Sequence, residues 1–145
     1  MSIFGGLNVS ASGLTAQRLR MDTISQNIAN VNTTRDENGD VYRRKTVVFA
    51  EKKDFSFSDS LNAASGLKSS GVKVVNVVED TSTDLNMVYD PSHPDANEDG
   101  YVSYPNVNTV TEMTNLIDSS RAYEANVTAF NATKNMLLQT LEMGK

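Results

Sequence analysis

Asp95-Ala-Asn97-Glu-Asp99-Gly100 comes nearest to a chemical site, because oxygen-bearing side chains at alternate positions ahead of a glycine open an EF-hand calcium loop. The match stops there. The twelfth position of such a loop supplies a bidentate Glu, and here it is Asn106, preceded by Pro105. The strand-like residues Tyr101 to Tyr104 follow where an exiting helix belongs. The segment reads instead as a tight polar turn, in which Asp and Asn bond nearby amides and Gly100 supplies positive φ. A calcium-binding or other protein-interaction module using residues 95–100 stands as the alternative. His93 is the single histidine, flanked by Pro91 and Pro94, and has no Cys, serine elbow or second His to complete a triad or a metal set. Asp90, Asp95, Glu98 and Asp99 beside it have the character of a solvated turn. There is no GxGxxG, no P-loop, no GxSxG and no cysteine, so thiol catalysis, thiolate metal sites and disulfides are excluded together. No catalytic residue, cofactor site or metal site is expected, and the chain reads as non-enzymatic.

With 145 residues, 39% hydrophobic content and no Trp, the chain can form one ordinary domain with only a modest core of its own, which points towards partners. A net charge of −5 gives nucleic-acid binding no electrostatic support. The basic residues cluster once, at Arg43-Arg44-Lys45, and inside a valine-rich strand pattern this reads as one solvated strand face. The N-terminal segment lacks the basic region and apolar stretch of a secretory signal. No segment reaches the roughly 20 apolar residues needed to cross a bilayer, so no direct membrane insertion is expected. By these rules alone the chain reads as soluble and cytoplasmic.

Three regions must hold these residues. From Ile3 to Val31 apolar residues recur every seven, at Leu7, Leu14, Met21 and Ile28, with a weaker row at Ile3, Ser10, Gln17, Ile24 and Val31. Together these are the a and d positions of a helical seam. A similar stripe runs through Met113, Leu116, Ser120, Tyr123, Val127, Phe130, Leu137 and Leu141, interrupted by Lys134. Thr109-Val-Thr-Glu112 reads as the capping box that opens this second helix. Between the helices, Asp36-Glu-Asn-Gly39-Asp is a turn, and Val41–Phe49 and Gly71–Val78 are strands. Asn86–Tyr89 and Tyr101–Tyr104 are shorter strands, and a Ser-, Asn- and Lys-rich mobile loop is expected over 52–70. The fold class is α+β: terminal helices at 1–32 and 109–145 pair as a coiled-coil-like core, with a small antiparallel β-rich domain at 33–108 inserted between them.

The charge pattern of the helices is more telling than their period. Residues 1–32 hold only Arg18, Arg20 and Asp22 as charged groups, whereas a helix solvated on one face is normally rich in Glu and Lys. Such a helix is marginal alone and must draw its stability from packing. Two polar motifs sit on these helices. Asn27 and Asn30 lie one turn apart and can fix register between packed helices, or Asn30 can terminate the helix. Ser120-Arg121-Ala-Tyr123-Glu124-Ala-Asn126 puts Arg121 and Glu124 at ion-pair spacing, and Ala122 and Ala125 permit close helix approach. The candidate subunit-contact residues are Leu7, Leu14, Met21, Ile24, Asn27, Ile28 and Asn30, with Met113, Leu116, Arg121, Tyr123, Glu124, Asn126, Val127, Phe130, Leu137 and Leu141.

Ser12-Gly-Leu-Thr-Ala-Gln-Arg-Leu-Arg-Met-Asp22, followed by Asn27-Ile-Ala-Asn30-Val-Asn-Thr33, resembles the signature of flagellar basal-body rod and hook proteins. Ser120-Arg-Ala-Tyr-Glu-Ala-Asn126 resembles the matching C-terminal motif. Tyr42-Arg-Arg44, Gly71-Val-Lys-Val74 and Asp90–Val107 are similar to the short proximal rod members of the family. The resemblance implies export by the flagellar type III apparatus without a cleaved signal, and residence in the basal body outside the inner membrane. It implies assembly with other rod proteins and copies of itself into a hollow helical shaft, in contact with a basal-body ring and the export apparatus. The terminal helices would form the inner tube and the β-rich insertion its outer side.

Overall fold

A computed structural model describes residues 3–36, 39–52, 61 and 71–144. Of the loop expected at 52–70, all but Lys52 and Leu61 lies outside the described residues, as do positions 37 and 38 of the expected turn. The elements are α1 (Ile3–Ala29), β1 (Lys45–Glu51), β2 (Val72–Glu79), β3 (Asn86–Tyr89), β4 (Tyr101–Tyr104) and α2 (Thr109–Met143). The class is α+β, with two long helices flanking four antiparallel strands in two small sheets, as the sequence led us to expect.

The end of α1 and the start of α2 are each set by an asparagine. At the end of α1, Asn30 Nδ2 donates back to the Gln26 carbonyl (2.9 Å), and Asn30 Oδ1 accepts from the Thr33 hydroxyl (3.1 Å). The amide closes the last turn locally. At the start of α2, Asn108 Oδ1 accepts from the amides of Val110 (3.0 Å) and Thr111 (3.2 Å), and the Asn108 carbonyl takes the first helical bond, from the Glu112 amide (2.9 Å). The cap is therefore Asn108 and not Thr109. The expected capping box fails because the Glu112 carboxylate is engaged elsewhere.

The β3–β4 hairpin is antiparallel, with Asn86 opposite Tyr104 and Tyr89 opposite Tyr101. Its loop is a polar turn, as expected. Asn97 Oδ1 accepts from the amides of Asp99 (3.1 Å) and Tyr101 (2.7 Å), and Gly100 sits at φ +80°. The Tyr89 and Tyr101 rings meet edge-on at 5.3 Å, closing the hairpin end.

The chain's contacts cluster into two compact units, each using part of both helices. Unit 1 comprises 1–19, 48–76 and 119–145; unit 2 comprises 20–47 and 77–118. In unit 2 the apolar core is small: Ile24, Val102 and Val107, with Pro105 beside them in sequence and also buried. In unit 1 the helices meet through glycines. A β-carbon added at Gly13 would lie 2.8 Å from Asn126 Oδ1, and one at Gly6 would lie 3.9 Å from a Thr133 methyl. The two contacts are one heptad apart on both helices and run antiparallel. The Leu7, Leu14, Met21, Ile28 row is only half-buried, while the buried α1 side chains are Ser10, Ala16, Thr23, Ile24 and Asn27. Ser10 and Ile24 belong to the weaker row of the expected seam; in unit 1, the close approach at Gly13 leaves no room for a large side chain at that position.

Replacing Asn108 with Ala should destabilise the protein by about 1 kcal/mol in urea unfolding. Thr109→Ala should change stability by less than about 0.5 kcal/mol. Equal losses would return the cap to Thr109.

Candidate functional site

Unit 2 is organised around a carboxylate. Glu112 stands in the first turn of α2 and is only 1% exposed. Its Oε1 accepts from Arg44 Nε (2.9 Å), Arg44 Nη2 (2.8 Å) and Asn115 Nδ2 (3.3 Å), and its Oε2 accepts from Asn27 Nδ2 (2.9 Å). A buried charge is tolerable only when it is paired and hydrogen-bonded in this way. The free amides at the helix N-terminus add a favourable field. Arg44 therefore corrects the solvated-face reading of Arg43-Arg44-Lys45: its guanidinium joins a buried pair just ahead of β1. Lys45 keeps a partly solvated pairing with Glu79 at 3.6 Å.

Asn27 is 0% exposed and uses its whole amide. Nδ2 donates to the Lys45 carbonyl (2.8 Å) and to Glu112; Oδ1 accepts from the Lys45 amide (2.9 Å) and the Tyr42 hydroxyl (3.0 Å). Two donors and two acceptor lone pairs are all that an asparagine has. By bonding both backbone groups of Lys45, the side chain acts as a substitute strand at the start of β1. Asn106 holds one backbone group of the preceding residue, Arg44. Its Oδ1 accepts from the Arg44 amide (2.9 Å), and its Nδ2 donates to the carbonyls of Asp80 (2.9 Å) and Thr83 (3.2 Å).

The Asp80 turn is a second fixed point. The carboxylate accepts from the amides and hydroxyls of Ser82 and Thr83 at 2.7–3.1 Å. The Ser82 hydroxyl first, then Thr83, hold it well below the usual carboxylate range. Tyr42 is shifted the other way, its phenol raised chiefly by burial and then by the charges of Glu79 and Glu112.

The remaining candidates divide between the units. In unit 2, Met113 is exposed and Leu116 half-buried; in unit 1, Tyr123, Asn126, Val127, Phe130 and Leu137 are half-buried, while Arg121, Glu124 and Leu141 are exposed. The residues 95–100 are engaged within the chain: Asp95 accepts from the Thr34 hydroxyl (2.8 Å) and pairs with Arg35 (3.3 Å), and Asn97 closes its turn. Among the described residues no cluster of three His, Cys, Asp or Glu could hold a metal ion, and no helix is long and apolar enough to cross a membrane. Sequence reasoning missed Glu112, Arg44 and Asn106 as one site. The available signal was Glu112 as the single acidic residue in the first turn of α2.

A family model for the flagella basal body rod protein matches residues 7–35, and one for the flagellar basal body rod FlgEFG protein C-terminal region matches 98–143. The chain is 55% identical to the flagellar basal-body rod protein FlgC of Bacillus subtilis (strain 168), over 152 residues and the whole of both chains. It belongs to the FlgC family of flagellar basal-body rod proteins. FlgC of Borreliella burgdorferi is 44% identical over 97% of each chain, and FlgC of Escherichia coli O6:H1 is 39% identical over the whole of both. Asn27 falls in the first matched segment and Glu112 in the second. Arg44 and Tyr42, the FlgC-like residues between those segments, bind directly to that pair.

Glu112→Ala should cost about 3–5 kcal/mol, because it strands the Arg44 guanidinium and the Asn27 amide. Asn27→Asp should cost at least as much as Asn27→Ala, since it sets a second carboxylate against Glu112; urea unfolding measures both. Asp80 titrates below its ordinary 3.8 when folded, so its contribution is present above that pH and lost as pH falls through the lower folded value. Tyr42 titrates above its ordinary 10.0 when folded, so its contribution is lost as pH rises past that value. Asp80→Asn should therefore flatten the acid limb of a stability–pH curve and leave the alkaline limb in place.

Proposed function

We propose that this chain works as a structural, non-catalytic subunit of the proximal rod of the bacterial flagellum, held in the shaft by its terminal helices and supporting motility. Likeness to FlgC along the whole chain carries the reading. The apolar residues left on α2 support it: Val110, Met113 and Ile117 in unit 2, and Met136, Leu138, Leu141 and Met143 in unit 1, are all about half exposed or more. Large apolar side chains gathered on one helix mark a surface for partners. The charge-poor α1 is suited to the same use, because its polar face can be desolvated against another helix.

The subunit reaches its place through the flagellar type III export apparatus and is assembled outside the inner membrane. Its neighbours are other rod proteins, copies of itself and a basal-body ring. Helices that gain their final packing only on docking meet the ordering cost at assembly, which discourages premature polymerisation. Leu7, Leu14, Met21 and Ile28 on α1, with Met113, Leu116, Tyr123, Val127, Phe130, Leu137 and Leu141 on α2, are the apolar or aromatic contacts we assign to neighbouring subunits; Ile24, expected among them, is buried in the core of unit 2 instead.

Leu14→Asp or Phe130→Asp should abolish swimming and remove the chain from isolated basal bodies, while its export into the medium continues. Buried against a neighbour, the new carboxylate has no partner and costs several kcal/mol, on the order of the loss of a whole contact. Normal swimming in both variants would overturn the assignment of these positions.

A further inference from the structure

In unit 2 the two edges of the β3–β4 hairpin are finished differently. Tyr101 turns both of its backbone groups away from β3, its amide to Asn97 Oδ1 (2.7 Å) and its carbonyl to the Asn97 amide (2.9 Å), so the chain itself covers that part of the β4 edge. Tyr89 stands opposite Tyr101, and in an antiparallel pair both residues of such a position turn their backbone groups outward. The alternation brings the same orientation back at Met87, opposite Ser103. Among the described residues nothing bonds the outward amide and carbonyl of Met87 or of Tyr89. β3 also lacks the usual protections of an edge, for Asn86-Met87-Val88-Tyr89 holds no lysine, proline or bulge. Met87, Tyr89 and Tyr101 share one face of the hairpin and are 62%, 64% and 42% exposed.

We infer that the open edge of β3 receives an extended, cationic segment of a partner protein, added to the hairpin as a third strand. Free amides and carbonyls at alternate residues are met by another strand, not by a helix, whose backbone groups bond one another. The charge of the hairpin selects what that strand carries. Residues 84–101 include Asp84, Asp90, Asp95, Glu98 and Asp99 and no lysine or arginine. Arg35 pairs with Asp95 at 3.3 Å, and the other four carboxylates have no lysine or arginine partner among the described residues. Asp90 follows β3 directly, and the hydroxyl and amide of Ser92 hold its carboxyl below its ordinary value, so that charge is kept. Acidic residues thus stand in the chain on both sides of β3. The β3 of a second copy would set Asp84 and Asp90 against their own kind, whereas a strand with lysine or arginine at both ends is attracted. Its apolar side chains would lie over Met87 and Tyr89. The surface belongs to the inserted β region, and the inference does not rest on the helical contacts assigned above.

The isotope-labelled full chain is titrated by NMR to millimolar concentration with the peptide Lys-Thr-Val-Thr-Val-Thr-Lys. The same peptide with Glu in place of Lys, and the Lys peptide methylated on its central backbone nitrogens, serve as controls. The amides of Met87 and Tyr89 should shift and gain protection from exchange with the Lys peptide. The Glu peptide should bind about tenfold more weakly, and the methylated one should give no protection. Met87→Pro removes a donor that points away from β4, so the hairpin stays paired while affinity for the Lys peptide falls about fivefold. Glu98→Lys/Asp99→Lys, which alters only exposed side chains, should erase the preference for Lys over Glu. Absence of any shift at Met87 and Tyr89, or equal binding of the Lys peptide and either control, overturns the inference. Protection of these amides that rises with the concentration of the chain alone also overturns it, by giving the edge to a second copy.

Discussion

A carboxylate with 1% exposure near the start of a long helix is the constraint on which unit 2 depends. Glu112 cannot remain charged there without cations and amides around it, and meeting that demand positions Arg44 and Asn27. Asn27 in turn holds the first residue of β1, Asn106 holds the residue before it, and the Arg44 carbonyl receives the Asp80 amide at 2.8 Å. One buried charge thus ties the first turn of α2 to a strand start and a turn. A core of a few valines and one isoleucine could not specify those positions, since apolar contacts are non-directional. Well-packed apolar residues would often stabilise as much as a buried ion pair, so what the pair contributes here is register.

Unit 1 is organised on the opposite principle. Its helices approach through Gly6 and Gly13, the Gln17 side-chain oxygen is buried without a hydrogen bond, and the large apolar side chains near the end of α2 are exposed. These are the features of a surface that is finished by something else.

The hairpin loop shows why an apparent ligand motif need not bind an ion. Alternating Asp and Asn side chains before a glycine suit calcium, but they equally suit a turn, because the same oxygens accept from local amides. Here Asn97 bonds the amides on either side of Gly100, and Asp95 is held by Thr34 and Arg35. The oxygens are oriented by the chain rather than towards a common centre.

What the sequence determined by itself was local. The strands at 86–89 and 101–104, the polar turn between them and the two long helices follow from periodicity and turn chemistry, which act over a few residues. The paired end motifs pointed to the rod family for a related reason: their residue types and spacings are written directly in the chain. What only the tertiary structure decided was partnership. Glu112 bonds Arg44 across 68 positions and Asn27 across 85, separations over which spacing carries no information. For the same reason the period of the two rows could not say which one is buried within the chain: Ser10 and Ile24 of the weaker row are buried, and Leu7, Leu14, Met21 and Ile28 are half-buried. Asn27 illustrates the difference within one residue. Its position on a helix face was legible, but the strand end and the buried carboxylate that use its amide arrive from elsewhere in the chain.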